Sequence, residues 1–402
     1  MNQVMNPIRV ILLVILMAVS AVIVTSIGAQ ADSDKGDWAV WVNDAQEGFV
    51  QVSSSGETLQ QISVPFTDTD QPYWYTAISA DGQYLAYGEQ TGEAEGDLNQ
   101  FPAQIVIHNV GEDQMVATYP LAPTADATLT SQELFNAATD SLTFSEDGNH
   151  VAFGYAYRSD PEAPNAYQWE IVVLDIAQPA PAPSYTLSSA EASAVLDIQG
   201  DALYNVRYLQ FDDAEVQFML WPVFVHEELT PVIARWNFQT GDLEVVEMGD
   251  AAGSIIGDID GDLMLTALPA PDQPENDAAG STIYNRVMLV DTVSGEQQTL
   301  FETEEGTVNQ FQFVQNDEHV LLYVSGEEME ETSLVIVDRE GNIVQTFEDI
   351  PYSQFLSTPD GFLYNNEAGD LISVNLLDGG EETPLRSATN VHTVVAVTML
   401  AE

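Results

Sequence analysis

The chain has 402 residues, with 64 Asp plus Glu against 8 Lys plus Arg, a formal charge of −56 and no cysteine. So acidic a surface repels phosphate backbones and lacks the clustered Lys and Arg that nucleic-acid binding needs, which excludes that class. The missing thiols exclude disulfide frameworks, thiolate zinc sites, thiol nucleophiles and a lipid-modified cysteine, while 16 Phe, 15 Tyr and 6 Trp supply enough core material for folding despite the charge.

Residues 1–31 begin Met-Asn-Gln-Val-Met-Asn-Pro-Ile-Arg9, run through an apolar stretch from Val10 to Val24 and end in Ala29-Gln30-Ala31. A basic start, an apolar run and a small-x-small triplet form a secretory signal pattern. Val10 to Ala29 would also cross roughly 30 Å of hydrocarbon, so the segment reads as a signal peptide or an N-terminal membrane anchor. Under both readings residues 32–402 are exported. The expectation is a secreted or envelope-associated protein, periplasmic or on the cell surface, that meets membrane only through this segment if it is uncleaved.

Further along, Ile78-Ser-Ala-Asp-Gly-Gln-Tyr-Leu-Ala-Tyr87 is echoed by Phe144-Ser-Glu-Asp-Gly-Asn-His-Val-Ala-Phe153. Looser copies start at Phe211, Gly257, Val314 and Leu356. Each reads as strand, tight turn, strand, with Asp-Gly supplying the positive φ of a two-residue hairpin. A second hairpin follows, as at Gln104 to Tyr119 and Tyr284 to Phe301, so the unit is four strands. Equivalent apolar positions at Val40, Leu85, Val151, Val216, Leu263, Val320 and Leu363 are spaced by 45, 66, 65, 47, 57 and 43 residues. Four-stranded units at that period predict an all-β fold, a β-propeller in one domain over 32–402. The blades fall at 38–63, 73–121, 138–188, 204–249, 253–301, 308–347 and 352–387, which makes seven, within a range of six to eight. The first unit shows only three strands, and an orphan strand from Val391 to Met399 ends the chain. Pairing that strand into the first blade would close the ring and remove two open edges.

These Ser-x-Asp-Gly-x-x-Leu-Ala-Tyr segments resemble the WD40-like repeats of the TolB-type β-propellers, over 38 to 399. The family's Pro before Asp-Gly is present only at Pro359-Asp360-Gly361. The resemblance implies a bacterial, exported propeller; because such repeats serve both scaffolds and enzymes, it does not carry a function.

In a four-stranded blade, links between second and third strands lie on the same face as links between blades. The long links fall there: Gln90 to Ala103, Gly154 to Tyr167, Trp221 to Pro231, Ala267 to Ile283 and Ser325 to Glu331. Long loops on one face of a rigid ring are the usual place for binding. The predicted binding residues on this loop face are Trp74, Tyr155, Arg158, Trp221, His226 and Arg286, aromatic anchors and cations for a protein or glycan partner. Arg207 and Arg386 fall near the same face, so that with Arg158 and Arg286 they form either an anion-receiving patch or local ion pairs.

Asp258-Ile-Asp-Gly-Asp262 has the highest local density of carboxylates, and Asp258, Asp260 and Asp262 are the candidate Ca²⁺ ligands, although the full 12-residue loop with its terminal Glu is missing. No other cofactor is expected. The five histidines are at least 40 residues apart, and neither a Gly-x-Ser-x-Gly elbow nor a phosphate-binding glycine loop occurs. The sequence therefore points to an extracytoplasmic, non-enzymatic binding propeller. The alternative is a propeller hydrolase or lyase acting on a carbohydrate or lactone, with or without Ca²⁺ assistance.

Overall fold

The computed structural model describes residues 38–44, 47–62, 76–89, 104–121, 142–158, 167–176, 184–196, 198, 204–212, 214–222, 231–246, 255–269, 284–304, 306–315, 317–326, 332–348, 350–351, 355–387 and 392–400. Trp38–Leu400 forms one compact unit; the remaining unit, 1–37 with 401–402, lies outside the described residues.

Among the described residues, short runs rich in Val, Ile, Leu, Phe and Tyr, broken by Gly, Asn and Asp turns, form 28 strands and one short helix. Blade 1 holds β1 (Trp38–Asp44), β2 (Gly48–Ser53) and β3 (Thr58–Ile62). Blade 2 holds β4 (Thr76–Ile78), β5 (Tyr84–Glu89), β6 (Gln104–Asn109) and β7 (Gln114–Pro120). Blade 3 holds β8 (Leu142–Phe144), β9 (His150–Arg158), β10 (Tyr167–Asp175) and β11 (Ser184–Ser188), followed by helix α1 (Ser189–Leu196). Blade 4 holds β12 (Tyr204–Asp212), β13 (Glu215–Pro222), β14 (Val232–Asn237) and β15 (Leu243–Val245). Blade 5 holds β16 (Ile255–Asp260), β17 (Leu263–Leu268), β18 (Arg286–Asp291) and β19 (Gln297–Glu302). Blade 6 holds β20 (Thr307–Val314), β21 (His319–Ser325), β22 (Thr332–Asp338) and β23 (Ile343–Glu348). Blade 7 holds β24 (Leu356–Thr358), β25 (Gly361–Asn365), β26 (Leu371–Asn375) and β27 (Glu381–Arg386), and β28 (His392–Met399) ends the chain.

Every sheet is antiparallel and four-stranded in chain order, except that blade 1 runs β28-β1-β2-β3. The protein is thus a seven-bladed β-propeller. The terminal strand is the innermost of blade 1, paired from Trp38↔Met399 to Asp44↔His392. Trp38 Nε1 also donates to Asp360 Oδ2 of blade 7 at 3.0 Å. The ring closes as the three-strand count of the first unit requires.

The core lies between blades rather than on an axis. Separate buried clusters fill the seams, such as Val40, Val50, Leu363 and Leu371 between blades 7 and 1, and Met219, Ile233, Ile259, Met264 and Met288 between blades 4 and 5. Close approach selects for glycine at one seam: a Cβ on Gly154 of β9 would run into the Val206 side chain of β12. An inner strand has a sheet neighbour on one side only, so groups on its other edge need partners. Side chains of adjoining inner strands supply them. Gln210 Nε2 donates to the Ile259 carbonyl, Phe313 N–H donates to Asp258 Oδ2 at 2.9 Å, and Gln312 Nε2 donates to the Phe355 carbonyl at 3.2 Å.

Three local expectations are corrected. In the two best repeats the turn is not a two-residue Asp-Gly hairpin. Ser79 and Tyr84 close a four-residue connection in which Ser79 Oγ donates to Asp81 Oδ1 at 2.6 Å and Tyr84 N–H donates back to Ser79 Oγ at 2.9 Å. Ser145, Asp147 and His150 repeat it. The glycines at φ 68 follow the turn rather than occupy its centre, because the Ser and Asp side chains satisfy the backbone that a tighter turn would have paired. Second, residues 189–196, read as part of a link, form α1, capped where Glu191 N–H donates to Ser188 Oγ at 3.4 Å and Ser188 N–H donates to Glu191 Oε2 at 3.1 Å. Third, Gly154 to Arg158, Trp221-Pro222 and Ala267-Leu268, read as loop, continue β9, β13 and β17. Among the described residues no helix is long and apolar enough to cross a membrane.

Candidate functional site

Strand direction decides which side chains can meet. The first and third connections of each blade are tight turns at one face, whereas second-to-third and blade-to-blade links emerge at the other, the loop face. Most of those long links, including 223–230 and 270–283, lie outside the described residues. What can be built is the strand ends beneath them.

The arginines divide sharply. Arg235 Nη2 donates to Asp262 Oδ1 at 2.7 Å, and Arg339 Nε donates to the Asp317 carbonyl at 2.6 Å. At the loop face Arg386 Nη2 reaches Asp44 Oδ2 at 3.0 Å and Glu47 Oε2 at 3.1 Å, joining blades 7 and 1. These two carboxylates outweigh the burial that opposes charge and hold the Arg386 guanidinium above its ordinary pKa. Arg207 and Arg286 differ: among the described residues neither forms an ion pair, and the Nε of each is buried without a hydrogen-bond partner.

Register brings these two together at one seam. Arg207 on β12 lies opposite Met219, and Asn205 opposite Trp221. Residues directly opposite share a face, and Met219 packs against Ile259, Met264 and Met288 of blade 5, with the part-buried Trp221 beside them. Arg207 therefore points into the seam between blades 4 and 5. From the other wall, Arg286 on β18 lies opposite Leu268 of β17, and Leu268 packs on that same cluster. Thr266 of β17 faces the same seam, fully buried with an unpartnered Oγ1. Trp221, Leu268 and Arg286 sit at the loop-face ends of their strands, with Arg207 and Thr266 further in.

The other predicted binding residues do not all join it. Tyr155 is buried on β9 and its hydroxyl donates to Glu170 Oε2 at 2.5 Å. Tyr119 of blade 2 stacks edge-on to Phe153 at 5.3 Å, and burial first, then the Glu170 charge, raises its hydroxyl pKa. This is a seam between blades 2 and 3, and Tyr155 lies inside it. Arg158 ends β9, but its side chain, like Trp74 and His226, lies outside the described residues. Sequence reasoning missed Thr266; its only signal was a lone hydroxyl inside Leu-Met-Leu-Thr-Ala-Leu.

The Asp258 group separates. Asp258 sits in the seam between blades 5 and 6, accepting from Ile259 N–H and Phe313 N–H at 2.9 Å each. Burial outweighs those bonds and pushes its carboxyl up to about 7. Asp260 faces Asp317 of the next blade, whose carboxyl burial and the Asp260 charge push up to about 6. Asp262 turns the other way, to Arg235. Among the described residues no group of three or more His, Asp or Glu converges as metal ligands would.

No protein-family model matches the sequence, and a search of curated proteins found no match. Solved structures do match. Prolyl oligopeptidase B from Galerina marginata superposes with a TM-score of 0.58 at 10% identity, over 90% of this chain and 50% of that one. A Bacteroides fragilis protein assigned as a 6-phosphogluconolactonase gives 0.50 at 11% identity, over 92% of this chain and 100% of that one. TolB from Acinetobacter baumannii gives 0.40 at 15% identity, over 77% of this chain and 62% of that one. The chain spans about half the length of the prolyl oligopeptidases it matches. At such identities these likenesses concern the fold alone.

Proposed function

We propose that this propeller is an extracytoplasmic, non-enzymatic binding scaffold that takes a protein or glycan partner on its loop face. The observation that carries the reading is the pair Arg207 and Arg286: among the described residues neither forms an ion pair, and the Nε of each is buried without a hydrogen-bond partner. Keeping buried guanidinium nitrogens unpaired costs stability, and such costs persist where an external ligand supplies the missing acceptors. The part-buried Trp221, which packs on the cluster of the same seam, and the long second-to-third-strand links expected from the sequence support the same face. Export rests on the apolar segment before residue 32.

The test is to immobilise the full chain and capture partners from the source organism's envelope and culture fluid, with a Trp74→Ala, Trp221→Ala, Arg158→Gln variant as control. A partner held by the parent and lost by the variant, with the variant still unfolding cooperatively as a folded protein, is the expected result. Equal retention by both would overturn the loop-face assignment.

A further inference from the structure

Independently of the loop-face reading, we propose that a cavity between the outer parts of blades 3 and 4 binds a small soluble quaternary ammonium compound, with Glu191 and Tyr185 receiving the cationic head. β11, α1 and the β14–β15 hairpin line this open cavity of about 250 Å³, through Tyr185, Glu191, Val195, Trp236, Phe238 and Leu243 among others. Trp236 and Phe238 are buried and form its floor, while Tyr185 and Val195 on its walls are 37% and 52% exposed. Val245, two residues beyond Leu243 and so on the same face of β15, is exposed and continues the apolar rim. Phe238 packs on Tyr185 at a ring-centroid distance of 5.1 Å and on Trp236 at 6.4 Å, so the rings are held in place before a ligand arrives and little ordering is needed on binding. The volume lies just below the ~300–1,000 Å³ of sites for drug-sized ligands, which limits the occupant to a compact molecule.

Charge and donor count select the ligand class. Among the described residues Glu191 is the one charged side chain that lines the cavity. Ser188 Oγ donates to its Oε2 at 2.7 Å and Ser188 N–H does so at 3.1 Å; these bonds hold the carboxyl below its ordinary pKa and leave Oε1 for a ligand. An anion would be repelled there, and a neutral apolar molecule would leave the charge unused. A primary ammonium brings three N–H donors, and since the lining beyond Glu191 is mostly aromatic and aliphatic, entry would leave donors unpaired. A quaternary ammonium has no donors. Its methyl groups pack on Val195 and Leu243 while its charge faces a carboxylate and aromatic surface, the surroundings that attract such cations. The net charge of −56 draws in every small cation alike, so selection among cations falls to the cavity.

The experiment titrates the full chain, by ligand-observed NMR at ~0.15 M salt where the long-range field is screened beyond ~8 Å, with choline, with ethanolamine and with 3,3-dimethylbutan-1-ol, three probes that differ only in the head group. Saturable binding of choline, with about tenfold weaker binding of the other two, is the expected result. Glu191→Gln, which keeps the side chain's shape and can still close the cap with Ser188, should weaken choline about fivefold, and Tyr185→Leu should do the same by removing the ring. One charge in 56 is too small a change in the overall field to account for such a loss. Choline bound no tighter than ethanolamine or the neutral alcohol, or bound equally by the parent and both variants, would overturn the site, as would the absence of saturable binding. The Trp74→Ala, Trp221→Ala, Arg158→Gln variant should bind choline as the parent does; a loss there would move the site away from this cavity. Sedimentation of the chain with phosphatidylcholine vesicles, reversed by free choline, would overturn the soluble source in favour of a lipid head group.

Discussion

Asp258 ties the inner strand of blade 5 to that of blade 6, and its protonation should govern stability near neutral pH. Its carboxyl is pushed from an ordinary 3.8 up to about 7, by burial first and then by the charges of Asp317 and Asp260, against the two backbone N–H bonds it accepts. Between those values the native state binds a proton that the unfolded chain has released, so stability falls as pH rises. Each unit is worth about 1.4 kcal/mol; from pH 5 to pH 8, with the slope fading above 7, the loss is about 2.5 kcal/mol. Asp258→Asn removes this dependence but turns an amide toward one of the two N–H donors, which costs about 1 kcal/mol at every pH. The variant should therefore be close to the parent at pH 5 and about 3 kcal/mol more stable at pH 8. Asp317, pushed up to about 6, also titrates in this window, but both proteins keep it, so the difference between the two reports chiefly on Asp258. Urea unfolding at pH 5, 6, 7 and 8 and constant ionic strength measures it. Parallel curves, with the variant less stable by the same amount throughout, would refute the assignment of a neutral, seam-bridging Asp258.

Two further perturbations address other seams. Arg386→Met strips the buried Asp44 of its guanidinium partner and should cost about 3 kcal/mol, with Asp44→Asn in the same chain restoring much of it; chemical denaturation of the single and double variants reads this, and additive losses would show that the pair is not coupled. Gly154→Ala places a methyl group against Val206 across blades 3 and 4 and should cost about 1–3 kcal/mol. Adding Val206→Ala should recover part of that loss, measured as the shift in thermal midpoint, and an unchanged midpoint for the single variant would refute the close approach.

The blade pattern was legible in the sequence because each hairpin is stabilised within a few residues of itself. Ser79, Asp81 and Tyr84 bond one another over six residues, and Ser145, Asp147 and His150 do the same. Such a motif carries its structure wherever it is placed. Turn geometry was misread because Asp-Gly alone does not report that the preceding Ser hydroxyl will take the carboxylate. Helix α1 was legible in principle, since Ser188 and Glu191 form a local capping box, yet its eight residues show little apolar periodicity. Among the predicted binding residues, Trp221 and Arg286 face one seam while Tyr155 turns into a different one. All three lie near strand ends, and nothing within a few positions of any of them distinguishes these outcomes.

The sequence by itself determined the propeller, its seven repeats and the missing first-blade strand supplied by β28. Each of these follows from periodicity and local hydrogen bonding, which survive without knowledge of neighbours. Only the tertiary structure decided which charges are spent inside the ring and which are left over. Arg386 finds Asp44 across more than 300 residues of chain, and Arg207 and Arg286 find no such partner among the described residues. Blade-to-blade pairing joins residues with no local relation, so the pattern of satisfied and unsatisfied cations exists only once the seams between blades have closed.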